Sequence, residues 1–175
     1  MIGWGDAVNA PIAEMVHGCG PSPGVREAMQ AMYDDVDEII VSATPVEALR
    51  REWTEHGLAR YTRLIAGQEM GSKAEHVHYA AAGKYPSNHI PLIGDAPGDR
   101  DAAAKAGCPY YPILPGEENA SWHRFATEAL PKFLDETLVG AYQDSLIEEF
   151  NAKLPDVVGW ETVSGIRTVT MPTVK

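Results

Sequence analysis

The segment LIGDAPGDRDAAAKAG, residues 92 to 107, contains the pattern on which the fold assignment depends. Apolar and small residues run directly into Asp95 and Asp99, and an alanine-rich stretch that ends at Gly107 follows. The short apolar run predicts a buried strand, and the stretch after it predicts a helix closed by a glycine. The two carboxylates therefore fall at the carboxyl end of a strand, where open parallel sheets bind their ligands.

Short apolar runs and helical spacings alternate along the rest of the chain. Three further strands are predicted in DEIIVSAT, YTRLIAG and YYPILPG. Helices are predicted in VREAMQAMYDD, PVEALRREWTEHG, SKAEHVHYAAAGK, SWHRFATEALPKFLDE and LVGAYQDSLIEEFNAKL. Strands that alternate with helices indicate βαβ units with right-handed crossovers, so we expect an α/β fold with a mostly parallel sheet.

Length and composition exclude several classes of protein. The chain has 175 residues, enough for one domain with a core, and a formal net charge of -11 that would repel a nucleic acid. It has no apolar run long enough to span a bilayer, and its N-terminus lacks the pattern of a signal peptide. Cys19 and Cys108 have no metal-ligand spacing and are typical of free thiols. We therefore expect a cytoplasmic protein that binds neither nucleic acid nor membranes.

Polar side chains follow three of the predicted strands in a chemically coherent order. Ser42 and Thr44 end the first strand, Lys73 opens the helix after the second, and Asp95 and Asp99 follow the third. Carboxylate oxygens suit Mg²⁺, an ammonium group offsets phosphoryl charge, and a hydroxyl can donate to a phosphoryl oxygen. The set predicts a site for Mg²⁺ and a phosphoryl group.

Each of these residues, taken alone, has an ordinary structural explanation. A serine at a strand end is commonly a turn residue, and a lysine at a helix start is usually solvated. Asp99 could cap a helix, and the carboxylate of Asp101 could interact favourably with the helix dipole. The functional interpretation rests on the whole set, in this order and at these strand ends.

That ordered set resembles the motifs of the haloacid dehalogenase (HAD) superfamily of phosphohydrolases, over roughly residues 20 to 116. IIVSAT is similar to the second motif, GSKAEH to the third and LIGDAPGD to the fourth. The resemblance implies that Ser42, Lys73 and Asp99 are catalytic residues, with Asp99 orienting Lys73, and that Asp95 is a Mg²⁺ ligand. It also implies hydrolysis of a small phosphate monoester of unknown identity through an aspartyl-phosphate.

The nucleophile motif of that superfamily, an Asp-x-Asp at the end of the central first strand, has no good match. Asp35-Val36-Asp37 has the spacing but precedes a strand, and Asp99-Arg100-Asp101 belongs to the fourth motif. The expected place for the motif is upstream of Met1, so we expect the chain to be the C-terminal portion of a longer enzyme. The implied fold is a HAD-like Rossmannoid three-layer sandwich that lacks its central first strand and carries C-terminal helices.

This assignment divides the chain into three parts. Residues 1–20 are expected to be the end of a helical cap segment or a linker. Residues 21–154 form a partial HAD-like core with a C-terminal helical extension. Residues 155–175 form either an edge strand or a disordered tail.

Two functions follow from this reading. In the first, the chain is part of a Mg²⁺-dependent phosphatase, has little activity without the nucleophile and binds Mg²⁺ weakly. In the second, it is a non-catalytic HAD-like module that binds a metal, a phosphate or a partner subunit. An unrelated doubly wound binding domain would require the alignment of Ser42, Lys73 and Asp95 to be coincidental.

The missing strand also makes a prediction about the sheet. Two apolar strands, EIIVSA and HIPLIGD, would flank a gap and expose unpaired backbone groups along it. The two strands could pair directly, the segment TVSGIRTVTM could insert between them, or the chain could self-associate. We favour self-association or low stability, because direct closure would disturb the helices packed on both faces.

Overall fold

A computed structural model describes residues 20–154 of the chain. Its helices are α1 (Val25–Met32), α2 (Val46–Glu55), α3 (Lys73–Ala81), α4 (Pro97–Ala106), α5 (Glu118–Arg124), α6 (Leu130–Leu134) and α7 (Ala141–Lys153). Its strands are β1 (Glu38–Val41), β2 (Thr62–Ala66), β3 (Leu92–Gly94) and β4 (Tyr110–Pro112). The predicted alternation of strands and helices is therefore confirmed across this range. The interpretations of residues 1–19 and 155–175 lie outside it.

None of these helices is both long enough and apolar enough to cross a membrane.

Local side-chain chemistry sets the helix ends near the predicted site. The Ser72 hydroxyl accepts the backbone N–H of Glu75 at 3.3 Å, and the Glu75 carboxylate accepts the Ser72 N–H at 2.8 Å. This reciprocal cap makes Lys73 the first residue of α3. Gly107, with φ of 67°, and Gly57, with φ of 64°, stand just past the ends of α4 and α2 as predicted.

The C-terminal helices differ in two details from the pattern in the sequence. The single helix predicted from residue 121 to 136 is divided into α5, a π-helical segment at Phe125–Ala129, and α6. The helix predicted from Leu138 onward begins only at Ala141, because Gly140, with φ of 103°, precedes the first residue of α7. Leu138 is nevertheless buried, as are Leu146 and Phe150 of α7.

The strands pair in parallel, but they form two sheets instead of one. β1 pairs with β2, and β3 pairs with β4. No ladder joins β1 to β3 within residues 20–154. The parallel α/β class is confirmed, whereas one continuous sheet is not observed in this part of the chain.

Helices cover both faces of the β3–β4 pair. Tyr110 and Tyr111 are neighbours in β4, so their side chains point to opposite faces. Tyr111 packs in a buried cluster with residues of α1, the π-helical segment and α7. Tyr110 packs in a second cluster with Leu92 and residues of α3 and α4. Helices therefore pack on both faces of this two-stranded sheet.

Helix α7 covers the outer edge of β4. The side-chain oxygen of Gln143 accepts the backbone N–H of Tyr110 at 3.0 Å. Phe150, which is fully buried, packs edge-on against Tyr110 with 6.0 Å between ring centroids. The outer edge of this sheet is therefore closed.

The inner edges of the two sheets face a large cavity. Its volume is about 1130 Å³, and its lining includes all of β1 and all of β3. Direct pairing of these two strands, one of the three outcomes considered, is therefore not what the described residues show. The segment TVSGIRTVTM, which could insert between them, lies outside the described residues. Self-association stays a prediction.

Candidate functional site

The four predicted site residues line the same cavity. Ser42 follows β1, Lys73 begins α3, Asp95 follows β3, and Asp99 lies in the first turn of α4. Residues up to 57 positions apart in the sequence thus line one cavity, because each lies in the segment after the carboxyl end of a strand. The contact shown directly within this set is the one between Lys73 and Asp99.

Lys73 and Asp99 form an ion pair between the two sheets. The Lys73 ammonium donates to Asp99 Oδ1, and the side chains are 28% and 5% exposed. Asp99 Oδ2 also accepts the backbone N–H of Ala96 at 3.2 Å. The prediction that Lys73 and Asp99 lie close enough to pair is confirmed. The structural alternative holds as well, since the same carboxylate caps the start of α4.

The Asp99 carboxylate lies directly against the backbone of Gly94. A Cβ atom at position 94 would lie 2.4 Å from Asp99 Cβ and Cγ, so no side chain fits there. The Tyr110 hydroxyl donates to the Gly94 carbonyl at 2.9 Å. Burial, with Asp99 and Asp95 nearby, raises the pKa of the Tyr110 phenol, which therefore stays a neutral donor.

Ser42 belongs to a turn that is hydrogen-bonded to the carboxyl end of β2. Its N–H donates to the Ala66 carbonyl at 3.0 Å, and its Oγ accepts the N–H of Thr44 at 3.1 Å. A Cβ atom at Gly67 would lie 2.5 Å from the backbone nitrogen of Val46, so this glycine permits the two loops to touch. The Ser42 hydroxyl acts here as an acceptor, which leaves its hydrogen available for a ligand.

Asp95 is exposed at the mouth of the cavity. It forms no hydrogen bond or ion pair with any other residue in the 20–154 range. Within the same range, no group of three or more His, Cys, Asp and Glu side chains is placed to hold a metal. Mg²⁺ typically takes one or two carboxylates together with phosphate oxygens and water. Asp95 alone is therefore not a metal site, and Mg²⁺ binding stays a prediction.

The two Asp-x-Asp sequences have structural roles. Asp37 accepts hydrogen bonds from the Tyr85 hydroxyl and, at 2.9 Å, from Arg63 Nε. These bonds lower the pKa of Asp37, at the opposite end of β1 from Ser42. Arg100, in the second sequence, donates to the side chain of Asn151 at 2.6 Å.

Two buried polar residues were not predicted from the sequence. Glu38, 9% exposed, lines the cavity at the amino end of β1, and its Oε1 has no hydrogen-bond partner in residues 20–154. Burial raises its pKa to about 7. His76 in α3 is 4% exposed, and neither of its ring nitrogens has a partner there. For Glu38 the sequence contained one indication of an unusual position, because this charged residue directly precedes an apolar run.

No protein-family model matches the chain, and no similar curated protein or solved structure was found. The functional assignment therefore depends on the residues and their geometry.

The Lys73–Asp99 pair predicts a measurable loss of stability when the lysine is replaced. Lys73→Met keeps the length of the side chain but leaves a buried carboxylate with one backbone donor. We expect the free energy of unfolding in urea to fall by about 1–2 kcal/mol, less than for a fully buried pair because Lys73 is partly exposed. Lys105→Met, at an exposed site in α4, is the control. Equal changes in the two variants would show that the pair contributes nothing.

Proposed function

We propose that this chain carries the phosphoryl-binding and Mg²⁺-binding portion of a HAD-like phosphohydrolase. The observation that supports it is the convergence of Ser42, Lys73, Asp95 and Asp99 on one cavity at the carboxyl ends of the strands. Single residues of these types are common at such positions. Four of them in the order of the family's motifs, with the lysine already paired to the acid expected to orient it, favour phosphoryl chemistry.

In this proposal each side chain has a defined task. The Ser42 hydroxyl donates to one phosphoryl oxygen, and the Lys73 ammonium, held by Asp99, offsets the charge of another. Asp95 contributes a carboxylate oxygen to Mg²⁺, which supplies further charge neutralisation when bound. Phosphate monoesters are the substrate class, because this set recognises a dianionic phosphoryl group and little else.

The nucleophile is the part that the described residues do not offer. A carboxylate oxygen would attack phosphorus, the ester oxygen would leave with a proton, and water would then hydrolyse the acyl phosphate. Asp95 is assigned to the metal, and Asp99 is buried and already paired. Residues 20–154 therefore offer no attacking carboxylate, and because the sequence has no good match to the nucleophile motif, we expect turnover by this chain alone to stay near background.

Ligand binding tests the proposal without requiring turnover. We expect inorganic phosphate to bind in the presence of Mg²⁺, more weakly than micromolar, as measured by calorimetric titration. Asp95→Asn should abolish the Mg²⁺ dependence of phosphate binding, because it removes the carboxylate that has no partner at the site among residues 20–154. Asp101→Asn, an exposed acid one turn along α4, should leave phosphate binding unchanged.

Three results would contradict this assignment. Loss of phosphate binding in Asp101→Asn equal to that in Asp95→Asn would show a general charge effect. Micromolar affinity for Mg²⁺ alone would indicate a complete metal cage. Robust turnover of an aryl phosphate that Asp95→Ala abolishes would show that the chain already contains its nucleophile.

A non-catalytic phosphate-binding or metal-binding module is the second candidate. Among the described residues the acids of this site are Asp95 and Asp99, and neither is left to act as a nucleophile if Asp95 binds the metal, which favours this candidate. Both candidates predict the same ligand binding. They differ when a polypeptide that contains a strand ending in Asp-x-Asp is supplied. The partial phosphatase should then turn over substrate, whereas the non-catalytic module should not.

A further inference from the structure

We propose that Tyr110 is a positioning residue for the phosphoryl site, because its hydroxyl holds the turn between β3 and α4 that carries Asp95 and Asp99. The proposal rests on the function proposed above and adds a residue that lies outside the family's motifs. The Tyr110 side chain belongs to the core and is only 3% exposed. It therefore acts on the site through its neighbours and not by touching a phosphoryl group.

The backbone carbonyl of Gly94 is the point at which Tyr110 acts. This oxygen accepts the Tyr110 hydroxyl at 2.9 Å and the backbone N–H of Ile113 at 2.8 Å. A carbonyl oxygen has two lone pairs, so the two hydrogen bonds use its full capacity. The peptide group is planar, and a fixed carbonyl therefore also fixes the nitrogen and the Cα atom of Asp95. Tyr110 and β4 together set the direction in which the chain leaves β3.

Gly94 also connects this hydrogen bond to Asp99. The Asp99 side chain packs directly against Gly94, since a Cβ atom there would lie 2.4 Å from Asp99 Cβ and Cγ. Gly94 is therefore in contact both with the Tyr110 hydroxyl and with the carboxylate that pairs with Lys73. A shift of this strand end would reach Asp95 through the peptide bond and Asp99 through the packing contact.

Helix α7 of the C-terminal extension holds Tyr110 in place. The Phe150 ring packs edge-on against the Tyr110 ring with 6.0 Å between centroids, and the Gln143 side chain accepts the Tyr110 backbone N–H at 3.0 Å. A side chain that packing has already immobilised loses little further conformational entropy when it forms a hydrogen bond. The extension beyond β4 is therefore connected to the candidate site through this tyrosine.

A phenol suits this task because it stays a hydrogen-bond donor. Burial, and after it the charges of Asp99 and Asp95, raises the pKa of the Tyr110 phenol. The hydroxyl therefore keeps its proton in the neutral range and does not become a phenolate, which could only accept. Phenylalanine at this position would keep the packing of the ring and remove only the donor.

The next residue of β4, Tyr111, provides a matched control. Its side chain points to the opposite face of the sheet and is 1% exposed. Its hydroxyl donates to the Ser121 carbonyl at 2.7 Å, and its ring packs edge-on against Phe125 with 5.1 Å between centroids. Tyr111→Phe therefore removes the same kind of buried hydrogen bond but leaves the turn that carries Asp95 and Asp99 unchanged.

Titration of the full chain and its two variants with inorganic phosphate, in the presence of Mg²⁺, tests the positioning role. Urea midpoints should fall by similar amounts in Tyr110→Phe and Tyr111→Phe, because each variant loses one buried phenol–carbonyl hydrogen bond. Only Tyr110→Phe should weaken the affinity for phosphate, by about fivefold, which is the scale of one ordinary hydrogen bond. Equal phosphate affinities in the two variants would overturn the positioning role.

The backbone amide of Asp95 gives a spectroscopic readout that requires neither phosphate nor Mg²⁺. Its nitrogen shares a peptide group with the Gly94 carbonyl, so its ¹⁵N chemical shift responds to the hydrogen bonds at that oxygen. We expect the Asp95 signal to move in Tyr110→Phe and to stay in place in Tyr111→Phe. A similar displacement in both variants would indicate general loosening of the fold, and an unmoved signal in both would show that the hydroxyl does not hold this peptide. Either result would overturn the proposal.

The positioning role and the proposed function can fail separately. If the original chain does not bind phosphate but the Asp95 signal moves only in Tyr110→Phe, the proposed function is rejected and the hold on the turn is retained. If phosphate binds with the same affinity to the original chain and to both variants, the proposed function stands and the positioning role is rejected. Weaker phosphate binding and a displaced Asp95 signal, both confined to Tyr110→Phe, would support the two together.

Discussion

Gly94→Ala is expected to lower the free energy of unfolding by about 3 kcal/mol, whereas Gly98→Ala is expected to raise it by about 0.5–1 kcal/mol. The two glycines are four positions apart in the same motif. The opposite signs follow from what a methyl group meets at each position.

At position 94 the methyl group has no room. It would lie 2.4 Å from Asp99 Cβ and Cγ and 2.5 Å from Oδ2. Cβ is tied to the α4 backbone, so relief requires the first turn of α4 to move. That movement would separate Asp99 from Lys73 and from the N–H of Ala96. The expected loss combines overpacking with damage to a buried polar network.

At position 98 the methyl group meets no atom within 4 Å. Gly98 lies inside α4, where alanine is a better helix former than glycine. Urea denaturation of both variants gives the comparison, and phosphate titration should show the site lost in Gly94→Ala alone. Ordinary surface substitutions change the free energy of unfolding by up to about 0.5 kcal/mol. If Gly94→Ala changed it by no more than that, Asp99 would not be held as described.

Local patterns made much of the fold predictable from the sequence. The start of α3 was readable because Ser72 and Glu75 form a cap between near neighbours. The pairing of Lys73 with Asp99 was predictable for a different reason. The resemblance to the HAD motifs implied that Asp99 orients Lys73, and both residues lie in the segments that follow the carboxyl ends of β3 and β2. Neither inference required knowledge of distant packing.

Features that depend on distant packing could not be derived in the same way. The π-helical segment at Phe125–Ala129 continues a normal helical pattern, and nothing local distinguishes it. The gap between β1 and β3 was expected only from the resemblance, in which the first strand is missing, and not from the strand sequences themselves. The position of Glu38 before an apolar run does not by itself indicate burial of this charged first residue of β1, and only the folded structure shows that it is buried.

The buried carboxyl of Glu38 should make stability fall as pH rises. Its pKa is raised by burial to about 7 in the folded chain, against 4.5 for an ordinary glutamate. Below pH 4.5 the carboxyl is protonated in both folded and unfolded chains and has no pH-dependent effect. Between pH 4.5 and 7 the unfolded chain releases the proton and the folded chain keeps it, so the free energy of unfolding declines. Above pH 7 the full cost of a buried charge remains.

Glu38→Gln removes this titration while keeping the shape of the side chain. The variant and the original chain should be equally stable near pH 4, and the variant should be more stable by about 2–3 kcal/mol at pH 8. Urea midpoints and slopes measured at pH 4, 5, 6, 7 and 8 give the curve. Glu148→Gln, at an exposed position of α7, controls for the loss of one negative charge from a strongly acidic chain. A difference between Glu38→Gln and the original that stays constant across this range, or that widens toward low pH, would mean that the Glu38 carboxyl is solvated and that the amino end of the cavity is open to water.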